Sequence, residues 1–199
     1  MNFAQSINKA LSDSMEDESV VVCGQLVRYG AAGLTSGLYE KYPDRVITYP
    51  VSESLMNSSC MGLSLAGKRP VMVHERMDFL ASGMDALVNH IPVWRKKGMK
   101  LPLVILAIVG KGGGQGPQHS KNLTHWFENF DGWKVCVPKT PSQAYHMMHG
   151  AIFGDEPVMY VAHREAFDST GFVDLETPEA VRLCGASQRH EADFYRSGK

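Results

Sequence analysis

Apolar positions recur along this chain with two different periods, and segments of each kind take turns. Phe3, Ile7, Ala10 and Leu11 fall at helical spacing and predict a helix over residues 3–15. Residues 20–23, Val-Val-Val-Cys, have no polar position, which is the pattern of a strand buried on both faces. A glycine-bearing loop over 24–33 and a short helix over 34–42 follow. Residues 46–51, Val-Ile-Thr-Tyr-Pro-Val, read as a second buried parallel strand. Ser52 or Ser54 then caps a small, mostly apolar helix that Gly67 ends. Residues 70–75 are the next strand. Residues 80–97 carry Leu80, Met84, Leu87, Val88 and Ile91 on one helical face, with a kink expected at Pro92. Residues 101–109 are nearly all apolar and read as a central strand. A short helix over 123–130, a strand over 134–137, a helix from Ser142 to about 153 and a strand over 157–162 complete the pattern. From His163 onward the periodicity weakens into a short helix and a frayed end. The alternation predicts an α/β fold with a doubly wound, mostly parallel sheet and helices on both faces.

Composition narrows the functional classes. A chain of 199 residues with 44% hydrophobic residues suits one domain with a sizeable core. A net charge of -1 gives no electrostatic footprint for nucleic acid or an anionic membrane, so neither is an expected partner. No apolar run reaches membrane-spanning length, and residues 1–10 lack the apolar core of a signal peptide. Cys23, Cys60, Cys136 and Cys184 are scattered, mostly in apolar runs. They read as buried thiols of a reducing, cytoplasmic setting, not as a disulfide frame or zinc site.

Glu53 is the unusual residue. It stands where a buried strand gives way to a helix, with little polar company before Glu75. Ligands of open α/β sheets bind at strand carboxyl ends, so this carboxylate is a site candidate. On spacing alone it reads equally well as a first-turn acid favoured by the helix dipole. Residues 110–117 are glycine-rich but carry neither Walker nor dinucleotide spacing, so they read as a mobile loop over a ligand. On spacing alone Phe79 is a core phenylalanine, and His119 a loop or core histidine. His146 and His149 share a helix face without a third ligand and read as packing or surface residues. The basic run Trp94-Arg95-Lys96-Lys97-Gly98 reads as a solvated helix end.

Several motifs occur in a fixed order. Tyr49-Pro50-Val51-Ser52-Glu53 leads into the small-residue helix, then Gly67-Lys68-Arg69-Pro70-Val71, then Met77-Asp78-Phe79, then Met84-Asp85-Ala86-Leu87-Val88-Asn89. Gln118-His119-Ser120, Lys134-Val135-Cys136-Val137-Pro138, Ala151-Ile152 and Glu156-Pro157-Val158 follow. Over roughly residues 3–165 this set resembles the pyrimidine-binding domain of thiamine-diphosphate enzymes, most closely the beta subunit of 2-oxo acid dehydrogenases, which is pyruvate dehydrogenase- and transketolase-like. The resemblance implies that Glu53 is the carboxyl beside N1′ of the aminopyrimidine, catalytic as well as cofactor-binding. It implies that the Phe79 ring packs on that pyrimidine, that Asp78 is a structural neighbour, and that His119 works on the substrate side.

The departures matter as much. Gln25-Leu26 replaces an acidic pair after the first strand, and Glu75 stands where the family has an uncharged residue. Phe153-Gly154 follows Ile152 where the family often has an aspartate that helps hold a potassium ion. The Gly-Asp-Gly…Asn signature for magnesium and diphosphate does not occur. The expectation is therefore a pyrimidine-binding domain over 1–165, a partly ordered tail over 166–199, and no second C-terminal domain of the family's kind. Thiamine diphosphate is the expected cofactor, with Mg2+ held mainly by a diphosphate-binding partner subunit. A second copy of the chain, giving a heterotetramer, and a small-molecule substrate complete the expected partners. The expected activity is decarboxylation or carbon–carbon cleavage and ligation of a 2-oxo acid or ketose-like donor. A split transketolase-type or acyloin-forming carboligase without lipoyl transfer is the alternative. A non-catalytic, partner-binding subunit is the alternative from another class.

Overall fold

In the computed structural model, residues 1–110 and 115–175 are described. Helix α1 (Phe3–Ser14) is started by a reciprocal cap: the Gln5 N–H donates to Asn2 Oδ1, and the Asn2 N–H donates to Gln5 Oε1. Then come β1 (Val20–Gly24), α2 (Leu38–Lys41), β2 (Val46–Thr48), α3 (Glu53–Leu65) and β3 (Arg69–His74). The second half runs α4 (Ile91–Lys96), β4 (Val104–Val109), α5 (Thr124–Glu128), β5 (Lys134–Cys136), α6 (Pro141–Phe153) and β6 (Val158–His163). All strands pair in parallel, in the order β2-β1-β3-β4-β6-β5.

Two apolar layers hold the sheet. Val20, Val22, Val71, Val73, Val104, Leu106 and Tyr160 face α1 and α6. Cys23, Met72, Ile105, Ala107, Met159 and Val161 face α3 and the segments between β3 and β5. This alternation follows from the two-residue period of strand side chains. It explains why the central strands are apolar without interruption. Burial pushes the Cys23 thiol up to about 12 and the Cys60 thiol well above its usual value, so neither is a ready nucleophile.

Four expectations are corrected. The strand expected over 46–51 covers only Val46–Thr48 and lies at the sheet edge, where Val51 is 82% exposed. An edge strand pairs only as far as its neighbour runs, and β1 ends at Gly24 opposite Thr48. The single helix expected over 80–97 is three pieces: a 3-10 segment Met77–Gly83, a π turn Ala86–His90 and α4. Pro92 has no N–H to give and its ring crowds the preceding turn, so a regular α-helix cannot run through. Ser52 precedes α3 without a side-chain cap, and Ser54 Oγ instead donates to Ser82 O at 2.9 Å. Thr140, not Ser142, caps α6, accepting the Gln143 N–H at 3.2 Å.

The segment after β6 is tied to the chain start. Phe167 stacks on Phe3 with ring centroids 6.1 Å apart, and Asn2 pairs with Thr170. Residues 176–199 of the expected tail, Cys184 included, lie outside the described residues, as do residues 111–114 of the glycine-rich loop. At the end of α6, the carbonyls of Ile152 and Gly154 accept from Arg69 Nη1 at 2.9 and 2.8 Å. His146 and His149 pack on Tyr145. Arg95 pairs with Glu156 at 2.6 Å and Lys96 with Asp131 at 2.9 Å. Among the described residues, no helix is long and apolar enough to cross a membrane.

Candidate active site

The sheet itself makes the crevice. After β1 the chain crosses to the α1/α6 layer, where Leu34 and Leu38 are buried. After β3 it crosses to the opposite layer, where Leu80, Leu87 and Ile91 are buried. Adjacent strands whose connections diverge leave a gap at their carboxyl ends. The residues closing β1, β2, β3 and β4 therefore meet along one rim, and Glu53, Phe79 and His119 all follow those ends.

Glu53 is not alone there. Its Oε1 accepts from Gln25 Nε2 at 3.2 Å, and its Oε2 lies 3.0 Å from Ser82 Oγ. The single Ser82 proton is shared with Phe79 O, 2.8 Å away. Both oxygens are thus oriented by neutral donors, and no cation neutralises the carboxylate among the described residues. Ser54 and Asn57 clip the 77–83 segment onto the start of α3, with Asn57 Nδ2 donating to Gly83 O at 3.1 Å. A side chain at Gly83 would lie 2.7 Å from the Glu53 backbone, so only glycine permits this approach.

Below the carboxylate sits His74, 3% exposed, with Nε2 2.8 Å from Asn57 Oδ1. Because Asn57 spends its amide group on Gly83, its oxygen must accept, and His74 Nε2 carries the proton. Burial drives the His74 pKa down to about 4, against the opposing pull of the Glu53 charge. The neutral ring is the folded form, whereas an unfolded histidine titrates near 6.5. Between these values the unfolded chain binds one more proton, so stability rises with pH from about 4 to 6.5 and is lost as pH falls through that window. The expected loss is about 3 kcal/mol. Urea unfolding at pH 7 and pH 4.5, with His74→Gln as reference, measures it. Equal pH slopes for the two proteins would remove His74 as the cause.

Phe79 is 40% exposed, which corrects the core reading that spacing alone gives it. Its ring meets the His119 ring edge-on, centroids 5.3 Å apart. His119 Nδ1 donates to Gln115 O at 3.1 Å, which leaves Nε2 without a partner among the described residues. Asp78 Oδ1 accepts the Lys121 N–H at 2.9 Å and fastens the segment after His119 to the 77–83 turn. Its Oδ2 is buried without a partner among the described residues. Glu75 is half-buried.

Ser82, Asn57, His74 and Arg76 are not marked as site residues by the sequence. The signal for two of them is that His74 ends the apolar run Val71–Val73 of β3 and Arg76 follows two residues on. Gln25 was noted only as a departure, yet it donates directly to Glu53. These residues suit an aminopyrimidine. The carboxylate keeps a free lone pair on each oxygen, and Ser82 ties it to the segment that carries the exposed Phe79 ring. Among the described residues, no group of three or more His, Cys, Asp or Glu could hold a metal ion.

The family model described as "Transketolase, pyrimidine binding domain" matches residues 1–169. The chain belongs to that family. Within the family it is 31% identical to the acetoin:2,6-dichlorophenolindophenol oxidoreductase subunit beta of Cupriavidus necator, over 98% of this chain and 60% of that protein. It is also 31% identical to the 3-methyl-2-oxobutanoate dehydrogenase subunit beta of Mycobacterium tuberculosis, over 90% of this chain and 53% of that one. The chain thus spans about half the length of the curated relatives it matches. Among solved structures, a split-gene transketolase, described as an inactive beta4 tetramer, superposes with a TM-score of 0.69 at 20% identity. That match covers 89% of this chain and 54% of the other. Transketolase from Leishmania mexicana gives 0.68 at 15% identity, covering 81% and 25%. Both show the shared doubly wound fold.

Proposed function

We propose that this chain supplies the aminopyrimidine half-site of a split thiamine-diphosphate enzyme acting on a 2-oxo acid or ketose-like donor. The observation that carries the reading is Glu53: a carboxylate at a strand-to-helix junction, oriented by Gln25 and Ser82 and not neutralised by a cation. When bound, thiamine diphosphate supplies the nucleophilic carbon and the electron sink for cleaving a bond next to a carbonyl. Glu53 would hold the bound aminopyrimidine through a proton shared with ring nitrogen N1′. Such a charge-assisted hydrogen bond is strongest in a dry pocket. Phe79 offers its exposed face to the pyrimidine. His119, held through Nδ1, presents Nε2 to exchange a proton with the donor or product.

A partner subunit holding diphosphate and Mg2+ closes the site. Leu26, Tyr29, Val51, Leu55 and Phe79 are exposed around the rim, Tyr29 at 78%. Large apolar side chains gathered at the mouth of a crevice mark a surface that another domain covers. Obligate interfaces of this kind bury roughly 2,000 Å² or more. A second copy of the chain completes the assembly. Retained, oriented Glu53 favours this reading over a non-catalytic subunit.

The test is a titration of thiamine diphosphate with Mg2+ into the chain alone and into its complex with a co-purified diphosphate-binding subunit. Tight binding and turnover of a 2-oxo acid are expected only for the complex. A monomer that binds the cofactor tightly unaided would defeat the split arrangement, and no binding by either would defeat the cofactor assignment.

A further inference from the structure

Arg76 is the anomaly of the crevice. It lies two residues past the end of β3, is only 8% exposed, and no carboxylate among the described residues comes within ion-pairing distance. Asp78, two residues on, gives Oδ1 to the Lys121 N–H, and neither it nor Glu75 pairs with the guanidinium. A guanidinium carries a permanent charge, and a buried charge without a counter-charge is destabilising. Its partners are neutral. Nη1 donates to Glu75 O, while Nε and Nη2 both donate to the one oxygen Gln115 Oε1. The Nε–Nη2 edge is the fork that receives two oxygens of a carboxylate or phosphate in a bidentate pair. Here a single amide oxygen from an exposed side chain occupies it.

Arg76 also belongs to a closed circuit with two of the expected site residues, Phe79 and His119. Gln115 O accepts from His119 Nδ1, the His119 ring abuts Phe79, and the Phe79 N–H donates to Arg76 O at 3.3 Å. Gly110 shows how close the members lie. A side chain built there would sit 3.3 Å from His119 O and 3.7 Å from Arg76 Nε. The buried cation thus lies beside the histidine assigned above to the substrate side.

We propose that Arg76 receives an oxyanion carried by the donor substrate, its Nε–Nη2 edge exchanging Gln115 Oε1 for two oxygens of a carboxylate or phosphate. The inference rests on reading this rim as the substrate side of a thiamine-diphosphate site. It makes Arg76 a specificity-determining residue: the donor must carry an oxyanion, and the neutral amide holds the fork until it arrives. Gln115 is then an internal competitor. Removing it frees one hydrogen-bonded edge, and the net worth of such a bond translates into binding about two- to tenfold tighter.

The test follows the arginine Nε–Hε signals of the 199-residue chain by nitrogen–proton NMR at constant ionic strength. Sodium pyruvate, inorganic phosphate and neutral hydroxyacetone are added in turn. One Nε signal, missing from Arg76→Gln, is expected to move saturably with an oxyanion and to ignore hydroxyacetone. Saturation by pyruvate identifies a carboxylate donor; saturation by phosphate alone identifies a phosphorylated one. Gln115→Ala keeps the guanidinium and is expected to bind the same anion about two- to tenfold tighter, which holds even where Arg76→Gln does not fold. No saturable movement with either anion, or equal movement with hydroxyacetone, overturns the proposal. Because the signal needs no cofactor, its failure is separate from failure of thiamine diphosphate to bind the complex.

Discussion

Glu53→Gln is expected to leave the fold intact and to lower turnover of the assembled enzyme by about 10² to 10⁴. The fold survives because the side chain is only half-buried and its partners adapt. The Gln25 amide can turn to accept, and the Ser82 hydroxyl already has Phe79 O within reach. Catalysis is expected to suffer because, on the proposed reading, a neutral amide cannot share a proton with N1′ in the same way. A readout independent of activity comes from His74. The Glu53 charge holds the His74 pKa up, so its loss should let the value fall below about 4. Proton NMR of His74 and steady-state rates of the complex measure the two effects. Near-wild-type turnover by the variant complex would sink the assignment, whatever the histidine does.

His119→Ala is the second large effect, with a fall in saturated rate of about 10² or more and little loss of cofactor affinity. The expectation comes from its geometry. Nδ1 is spent on Gln115 O, Nε2 is left for a substrate-side group, and the ring only edges Phe79. Thiamine diphosphate titrated into the variant complex, followed by rates at saturation, separates the roles. A merely structural histidine, one that props the Phe79 ring, would reverse the pattern. Affinity would then drop while the saturated rate held.

The central strands were legible because each is buried on both faces. No polar position interrupts 20–23 or 101–109; the first is β1, and the second is strand only from Val104 onward, both between two helical layers. The rim was less so. Residues 46–51 are as apolar as a core strand, yet pairing stops at Thr48 because β1 stops at Gly24. Residues 80–97 carry an apolar helical face, and Leu80, Leu87 and Ile91 are buried as that face requires. The backbone nevertheless breaks into 3-10, π and α turns, since Pro92 and the close approach of Gly83 to Glu53 leave no room for a continuous helix. Glu53 itself was visible as an acid at a strand-to-helix junction.

Its surroundings were not. Gln25 and Ser82 reach Glu53 across 28 and 29 residues, and nothing local in either stretch marks the contact. The sequence by itself determined the alternation of strands and helices, the two-layered core and the place of the acid. These follow from burial and from periods that each segment carries alone. Only the tertiary structure decided that Gln25, Ser82 and His74 share one carboxylate's neighbourhood, and that Arg76 lies buried against Gln115 with no counter-ion among the described residues. Hydrogen bonds and charges act over a few ångströms, and it is the parallel pairing of distant strands that brings their carboxyl ends within that range.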